Sequence, residues 1–114
     1  MVTRRQRRVS SLIQEELSDL LEKKVSDPRL DFATITAVEI GPDLRHAHIL
    51  VSTMGNPQEA MKGFDHAAGF LRRELGSRLA LRYVPELTFH LDHSLERGER
   101  IDQLLKEIQQ KRNS

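Results

Sequence analysis

Two groups of arginines stand out among the side chains able to do chemistry. Arg72, Arg73, Arg78 and Arg82 fall within residues 72–82 beside a single acid, Glu74, and Arg4, Arg5, Arg7 and Arg8 fall within residues 1–8, which hold no acid. A guanidinium stays charged at any physiological pH and presents its donors as a fork that matches phosphate oxygens. The chemistry this offers is recognition of a polyanion. Crowded at a helix start, the four leading arginines also oppose the helix dipole, a local cost of roughly 0.3–1 kcal/mol that an anionic partner relieves.

Other chemistries find less support. His46 and His48 share one strand face and His90 and His93 lie three apart, but there is no cysteine and no carboxylate at the helical spacing of a metalloprotease site, so no metal site is expected. No serine sits in a Gly-x-Ser-x-Gly elbow, and neither a Gly-x-x-x-x-Gly-Lys loop nor a Gly-x-Gly-x-x-Gly loop occurs. An enzyme is therefore not expected, and no cofactor is implied. If the histidine-bearing face meets RNA, those rings become phosphate donors.

The formal net charge is only +1, from 18 basic and 17 acidic residues, so distribution rather than bulk charge carries the argument. One tyrosine and no tryptophan lean an RNA reading toward backbone and shape rather than base stacking. The absence of cysteine fits a reducing compartment. No apolar run approaches the roughly 20 residues of a membrane span, and Glu15, Glu16 and Asp19 interrupt the segment that an export signal would need apolar. The expectation is a soluble, cytoplasmic monomer, with one domain over residues 1–108 and a polar tail over 109–114.

The elements that position the arginines follow from periodicity. Thr3 caps a helix whose Leu12, Ile13, Leu17, Leu20, Leu21 and Val25 share a face and which stops near Asp27-Pro28. Strands are expected at Ala33–Ile40 and His46–Thr53 around the turn Gly41-Pro42-Asp43-Leu44-Arg45, the second alternating so that one sheet face is covered and the other open. Asn56, Pro57 and Glu59 then start a helix. Ala60, Met61, Phe64 and Ala67 before Gly69, and Leu71, Leu75 and Leu79 after it, predict two amphipathic helices joined by a kink at Ala67-Ala68-Gly69. That bend is expected to bring both arginine groups onto one side. Gly76 is expected to serve packing against a neighbouring element. Tyr83-Val84-Pro85 opens a third strand with Leu87, Phe89 and Leu91 inward, and Ser94 caps a last helix carrying Ile101, Leu104, Leu105 and Ile108. The order is α-β-β-α-kink-α-β-α, a two-layer α+β domain with helices on one face of a three-stranded sheet.

These residues carry a resemblance along nearly the whole chain. Arg7-Arg8-Val9, Asp27-Pro28-Arg29-Leu30, Val38-Glu39 with Asp43-Leu44, and Ala67-Ala68-Gly69-Phe70-Leu71-Arg72 come in order. Leu75-Gly76, Leu81-Arg82-Tyr83-Val84-Pro85-Glu86-Leu87-Thr88-Phe89 and Asp92-His93-Ser94-Leu95 follow. Together they resemble the bacterial ribosome-binding factor A family. The resemblance implies a type II KH-like domain in which an Ala-x-Gly kink, here Ala67-Ala68-Gly69, replaces the Gly-x-x-Gly loop, so that single-stranded nucleotides are not clamped as ordinary KH domains clamp them. It also implies a non-catalytic maturation factor that binds the free 30S subunit, assists late assembly and 5′-end processing of 16S rRNA, and leaves before translation. Ribosomal proteins and an assembly GTPase are further partners it suggests, and some relatives carry a long charged C-terminal extension where this chain stops at Ser114.

The expected RNA surface is Arg4, Arg5, Arg7, Arg8, Arg72, Arg73, Arg78 and Arg82. Whether Lys62, Arg29, Arg45, Arg97 or Arg100 joins it stays open at this stage. The alternative is a protein-interaction module docking on a ribosomal protein or GTPase through a helical face, with the arginines serving solubility.

Overall fold

The computed structural model describes residues 2–92. Helix α1 (Arg4–Lys23) opens on the expected cap: the Thr3 hydroxyl accepts from the Gln6 N–H while the Gln6 side chain accepts from the Thr3 N–H, a reciprocal capping box. It ends at Lys23, earlier than expected, with the Lys24 N–H closing the last turn on Leu20. The residue before a proline disfavours helix. Asp27 is accordingly extended, and Pro28 instead starts a 3₁₀ turn, Pro28–Leu30, capped by the Asp27 carboxylate.

Strand β1 (Ala33–Ile40) pairs antiparallel with β2 (His46–Thr53), and β2 pairs parallel with β3 (Glu86–Leu91), giving the order β1-β2-β3. The register of β1 slips between Ile35 and Ala37, which leaves Thr36 as an extra residue. This bulge shifts the pleat by one. Ile35 before it and Val38 and Ile40 after it can therefore all be buried on one face, although the first two are three residues apart.

Helix α2 (Pro57–Arg78) connects β2 to β3, with Asn56 Oδ1 accepting from the Glu59 N–H and Pro57 in its first turn. The helix is continuous. Hydrogen-bonded helix runs through Ala67, Ala68 and Gly69, so the two amphipathic stretches expected on either side of Gly69 lie within one helical element. The separation of the two apolar sets reflects a stripe that continues past Gly69, with Ala60, Phe64, Ala67, Leu71 and Leu75 all buried. A single long helix buries them together.

The core lies between the helices and one face of the sheet. Ile13, Leu17 and Leu20 of α1 and Phe64, Leu71 and Leu75 of α2 pack on Ile40, Ala47, Ile49, Val51 and Phe89, and the Phe64 and Phe89 rings stack at 4.9 Å. The expected α+β arrangement with helices on one face is the one observed. The opposite face is less open than the alternation of β2 suggests, because Leu50, on the same side as His48, is fully buried. The helix expected after Ser94 lies outside the described residues. Among the described residues no helix is long and apolar enough to cross a membrane.

Candidate nucleic-acid interface

Three segments converge at one end of the sheet. The first is the β1–β2 turn, where the Leu44 N–H closes on the Gly41 carbonyl and Leu44 takes a positive φ of 59°, a backbone form that disfavours branched side chains. The Asp43 carboxylate accepts from the Arg45 N–H. This fixes Arg45 at the mouth of β2. The second segment is the lead-in to β3, tied to the turn by the Glu86 N–H donating to the Arg45 carbonyl at 2.8 Å. The third is the last turns of α2.

Arg72 is the clamp between the second and third. Its Nε donates to the Pro85 carbonyl (3.2 Å) and its Nη2 to the Val84 carbonyl (3.0 Å). Carbonyls hold a guanidinium without neutralising it. Gly76 lets the helix approach: a Cβ there would stand 2.9 Å from Val84 Cγ2, so the glycine serves packing as expected.

The result is a cleft of about 560 Å³ lined by Arg45, His46, Arg72, Arg73, Arg82, Tyr83 and Glu86 over a floor that includes Gly76 and Val84. Arg45 and Arg82 lie over the Tyr83 ring, at 4.9 and 5.6 Å from its centroid. The one carboxylate of the lining, Glu86, pairs with His46 at 3.1 Å. Among the described residues Arg45, Arg73 and Arg82 make no ion pair, so the cleft holds concentrated positive charge.

The expected arginine surface is redistributed by this geometry. Arg72, Arg73 and Arg82 come together in the cleft, and Arg45, left open by the sequence, joins them. Arg78 does not. It turns to α1 and bonds Asp19 at 2.7 Å and Glu16 at 3.0 Å, and its hydrogen bond is the leading cause holding the Asp19 carboxyl below the ordinary carboxylate range. Arg4, Arg5, Arg7 and Arg8 are exposed along the start of α1. The buried Gln6 amide donates to the Ile40 carbonyl at 3.1 Å, placing this group beside the β1–β2 turn. Through Gln6 and the β1–β2 turn, the start of α1 and the cleft lie at the same end of the sheet. Of the other open cations, Arg29 is bound bidentately by Asp27 and Lys62 reaches Glu59 at 3.5 Å. Arg97 and Arg100 lie outside the described residues.

The sequence left Arg45 open, weighed His46 only as a metal or phosphate candidate, and did not single out Tyr83, each just before or at a strand start. The signal available was the cation-rich lead-in to both strands, which only the parallel pairing of β2 with β3 turns into one site. Among the described residues, His48 Nδ1 and His90 Nε2 lie 2.8 Å apart, and His46 faces Glu86. Among the described residues no three His, Asp or Glu side chains group so as to hold a metal. His93 lies outside them.

Comparison with known proteins places this geometry in a family. A ribosome-binding factor A of Dictyoglomus thermophilum is 50% identical over 91% of this chain and 90% of its own length. The crystal structure of ribosome-binding factor A from Thermus thermophilus superimposes with a TM-score of 0.71 at 22% identity, over 75% of this chain and 94% of that one. A homology model of the Thermus thermophilus factor, fitted into the cryo-EM map of its complex with the 30S subunit, gives a TM-score of 0.65 at 23% identity over 74% and 91%. Those two likenesses speak for the fold. The model of the family described as ribosome-binding factor A matches residues 5–105, and with a half-identical relative spanning the same length, the chain belongs to that family.

Proposed function

We propose that this protein binds the free 30S subunit in the cytoplasm and assists late assembly and 5′-end processing of 16S rRNA without catalysing a reaction. The observation that carries the reading is the cleft in which Arg45, Arg73 and Arg82 converge with no carboxylate of their own. Such charge favours RNA phosphates, and the exposed arginines of α1 extend it around the same end of the sheet. The complex of the Thermus thermophilus factor with the 30S subunit supports the choice of partner. Mechanistically, a protein that binds one conformation of an rRNA junction more tightly than another shifts the population toward it, which requires differential affinity and no bond chemistry.

Salt tests this reading. Each phosphate contact adds about 0.7–0.9 to the slope of log affinity against log salt, so cosedimentation with purified small subunits should weaken steeply as salt rises. A flat response overturns the electrostatic reading.

One observation favours contact with a protein as well. Phe32 and Met54 are 68% and 94% exposed and neighbour one another at the other end of the β1–β2 pair, where the Met54 N–H donates to the Phe32 carbonyl. A ribosomal protein or assembly GTPase docking there leaves the cleft free for RNA. Replacing both with serine should then weaken subunit binding without changing its salt slope.

A further inference from the structure

Arginines alone account for phosphate binding, but they do not account for an exposed tyrosine in their midst. Tyr83 is 55% exposed at the cleft wall, with the Arg45 and Arg82 guanidinium groups 4.9 and 5.6 Å from its ring centroid and Arg73 lining the same space. The scarcity of aromatics in the composition argues against stacking platforms in general. The placement of this one ring overrides that argument locally.

We propose that the cleft takes one unpaired nucleotide of RNA, its base stacked against the Tyr83 ring and its flanking phosphates held by Arg45, Arg73 and Arg82. The inference rests on the reading of this cleft as RNA-facing and adds the ligand class. A base inside a duplex has both faces covered by its neighbours, so the Tyr83 ring can stack only on a base that has left the stack. Stacking also needs a surface free of hydrogen-bond demands, which the Tyr83 ring, with the Arg45 and Arg82 guanidinium groups over it, supplies. The cleft, at about 560 Å³, lies within the roughly 300–1,000 Å³ span of small-ligand sites. Recognition of this kind is sequence-tolerant, because every base has a stacking face. It suits a protein that reads a splayed junction rather than a sequence.

The chain carries its own reporter. Tyr83 is the only tyrosine and there is no tryptophan, so intrinsic tyrosine emission comes from this ring alone. Titrating the full chain with a short single-stranded RNA should quench that emission saturably, whereas an RNA duplex of equal length and inorganic phosphate should not. With labelled RNA, Tyr83→Ala should weaken single-strand binding about 5- to 150-fold, the span that alanine substitution of a stacking aromatic gives, while Tyr83→Phe keeps the ring and the affinity. Thermal melts of both variants check that the exposed position leaves the fold intact. Single-strand binding with unchanged emission, equal quenching by duplex, or wild-type affinity in Tyr83→Ala each overturns the nucleotide site. Such results leave the arginine reading standing if subunit binding still falls steeply with salt. A flat salt response instead removes the reading and the site with it.

Discussion

Arg72, Arg73 and Arg78 sit within seven residues of one helix, yet their surroundings give them three different tasks. Arg72 bridges α2 to the Val84 and Pro85 carbonyls, Arg73 lines the cleft, and Arg78 bonds Glu16 and Asp19. Arg72→Ala should therefore destabilise the fold by about 1 kcal/mol, the usual worth of an exposed hydrogen-bonded group, as read by urea denaturation. Arg73→Ala should leave stability unchanged and weaken subunit binding alone. Equal midpoints for the two variants would remove the clamp from the account. The Arg78 ion pair makes a pH prediction. The Asp19 carboxyl is held low in the folded state by Arg78 first and Lys23 second. Its stabilisation is therefore present above the unfolded carboxylate value of about 3.9 and disappears as pH falls through the lower folded value. Asp19→Asn should melt below the wild type at neutral pH, and the gap should close on acidification below about pH 4; a gap that persists in acid would place its origin outside the charge pair. None of this division of labour was legible in the chain, where all three arginines read as one positive face. The partners of Arg78 lie some sixty residues upstream, and only the packing of α1 against α2 brings them near.

The elements were far more legible than the contacts between them. Thr3 and Asn56 capped their helices as read, and β1 and β2 occupied their expected spans, because caps and short-range periodicity are local properties. The bulge at Thr36 left a trace in the spacing of Ile35 and Val38, but a one-residue phase slip cannot be told from a poorly patterned strand without its partner. The division into two helices was expected from glycine and alanine content, which measures the tolerance of a helix for bending rather than where a helix ends, and α2 runs on through Gly69. Two glycines of α2 show the difference. A Cβ at Gly63 would stand 2.9 Å from Leu30 Cδ2, 3.0 Å from Leu30 Cγ and 3.3 Å from Arg29 Cβ, whereas at Gly69 it meets only the far end of Arg73 at 3.7 Å. Gly69→Ala should stabilise the protein by up to about 1 kcal/mol, the helical preference for alanine. Gly63→Ala gains the same preference but overpacks buried Leu30 at a cost of about 1–3 kcal/mol, so its net effect should be neutral to destabilising by about 2 kcal/mol. Thermal melts decide it, and a destabilising Gly69→Ala would show that the helix needs its glycine there after all.

At the scale of the molecule, the two arginine groups are fixed to one end of the sheet by a short chain of contacts. Gln6 bonds Ile40, Ile40 pairs with Ala47, His46 pairs with Glu86, and the Glu86 N–H bonds the Arg45 carbonyl. Because these contacts tie together the backbone segments that carry the two groups, an RNA surface that meets one can meet the other at the cost of ordering side chains alone. Their contributions to the salt dependence of subunit binding should then add. Replacing Arg45 and Arg82 with alanine should lower the slope of log affinity against log salt by about 1.4–1.8, two phosphate contacts at about 0.7–0.9 each, and replacing Arg7 and Arg8 should lower it by a similar amount. If both groups touch the same RNA in one complex, the fourfold variant loses the sum of the two. If instead the groups serve alternative binding modes, the first pair of substitutions shifts binding onto the remaining group, and the fourfold variant loses more affinity than the two pairs predict separately. Glu16 and Asp19 already satisfy Arg78, so Arg78→Ala should leave the slope unchanged, an internal control within the same helix as Arg73.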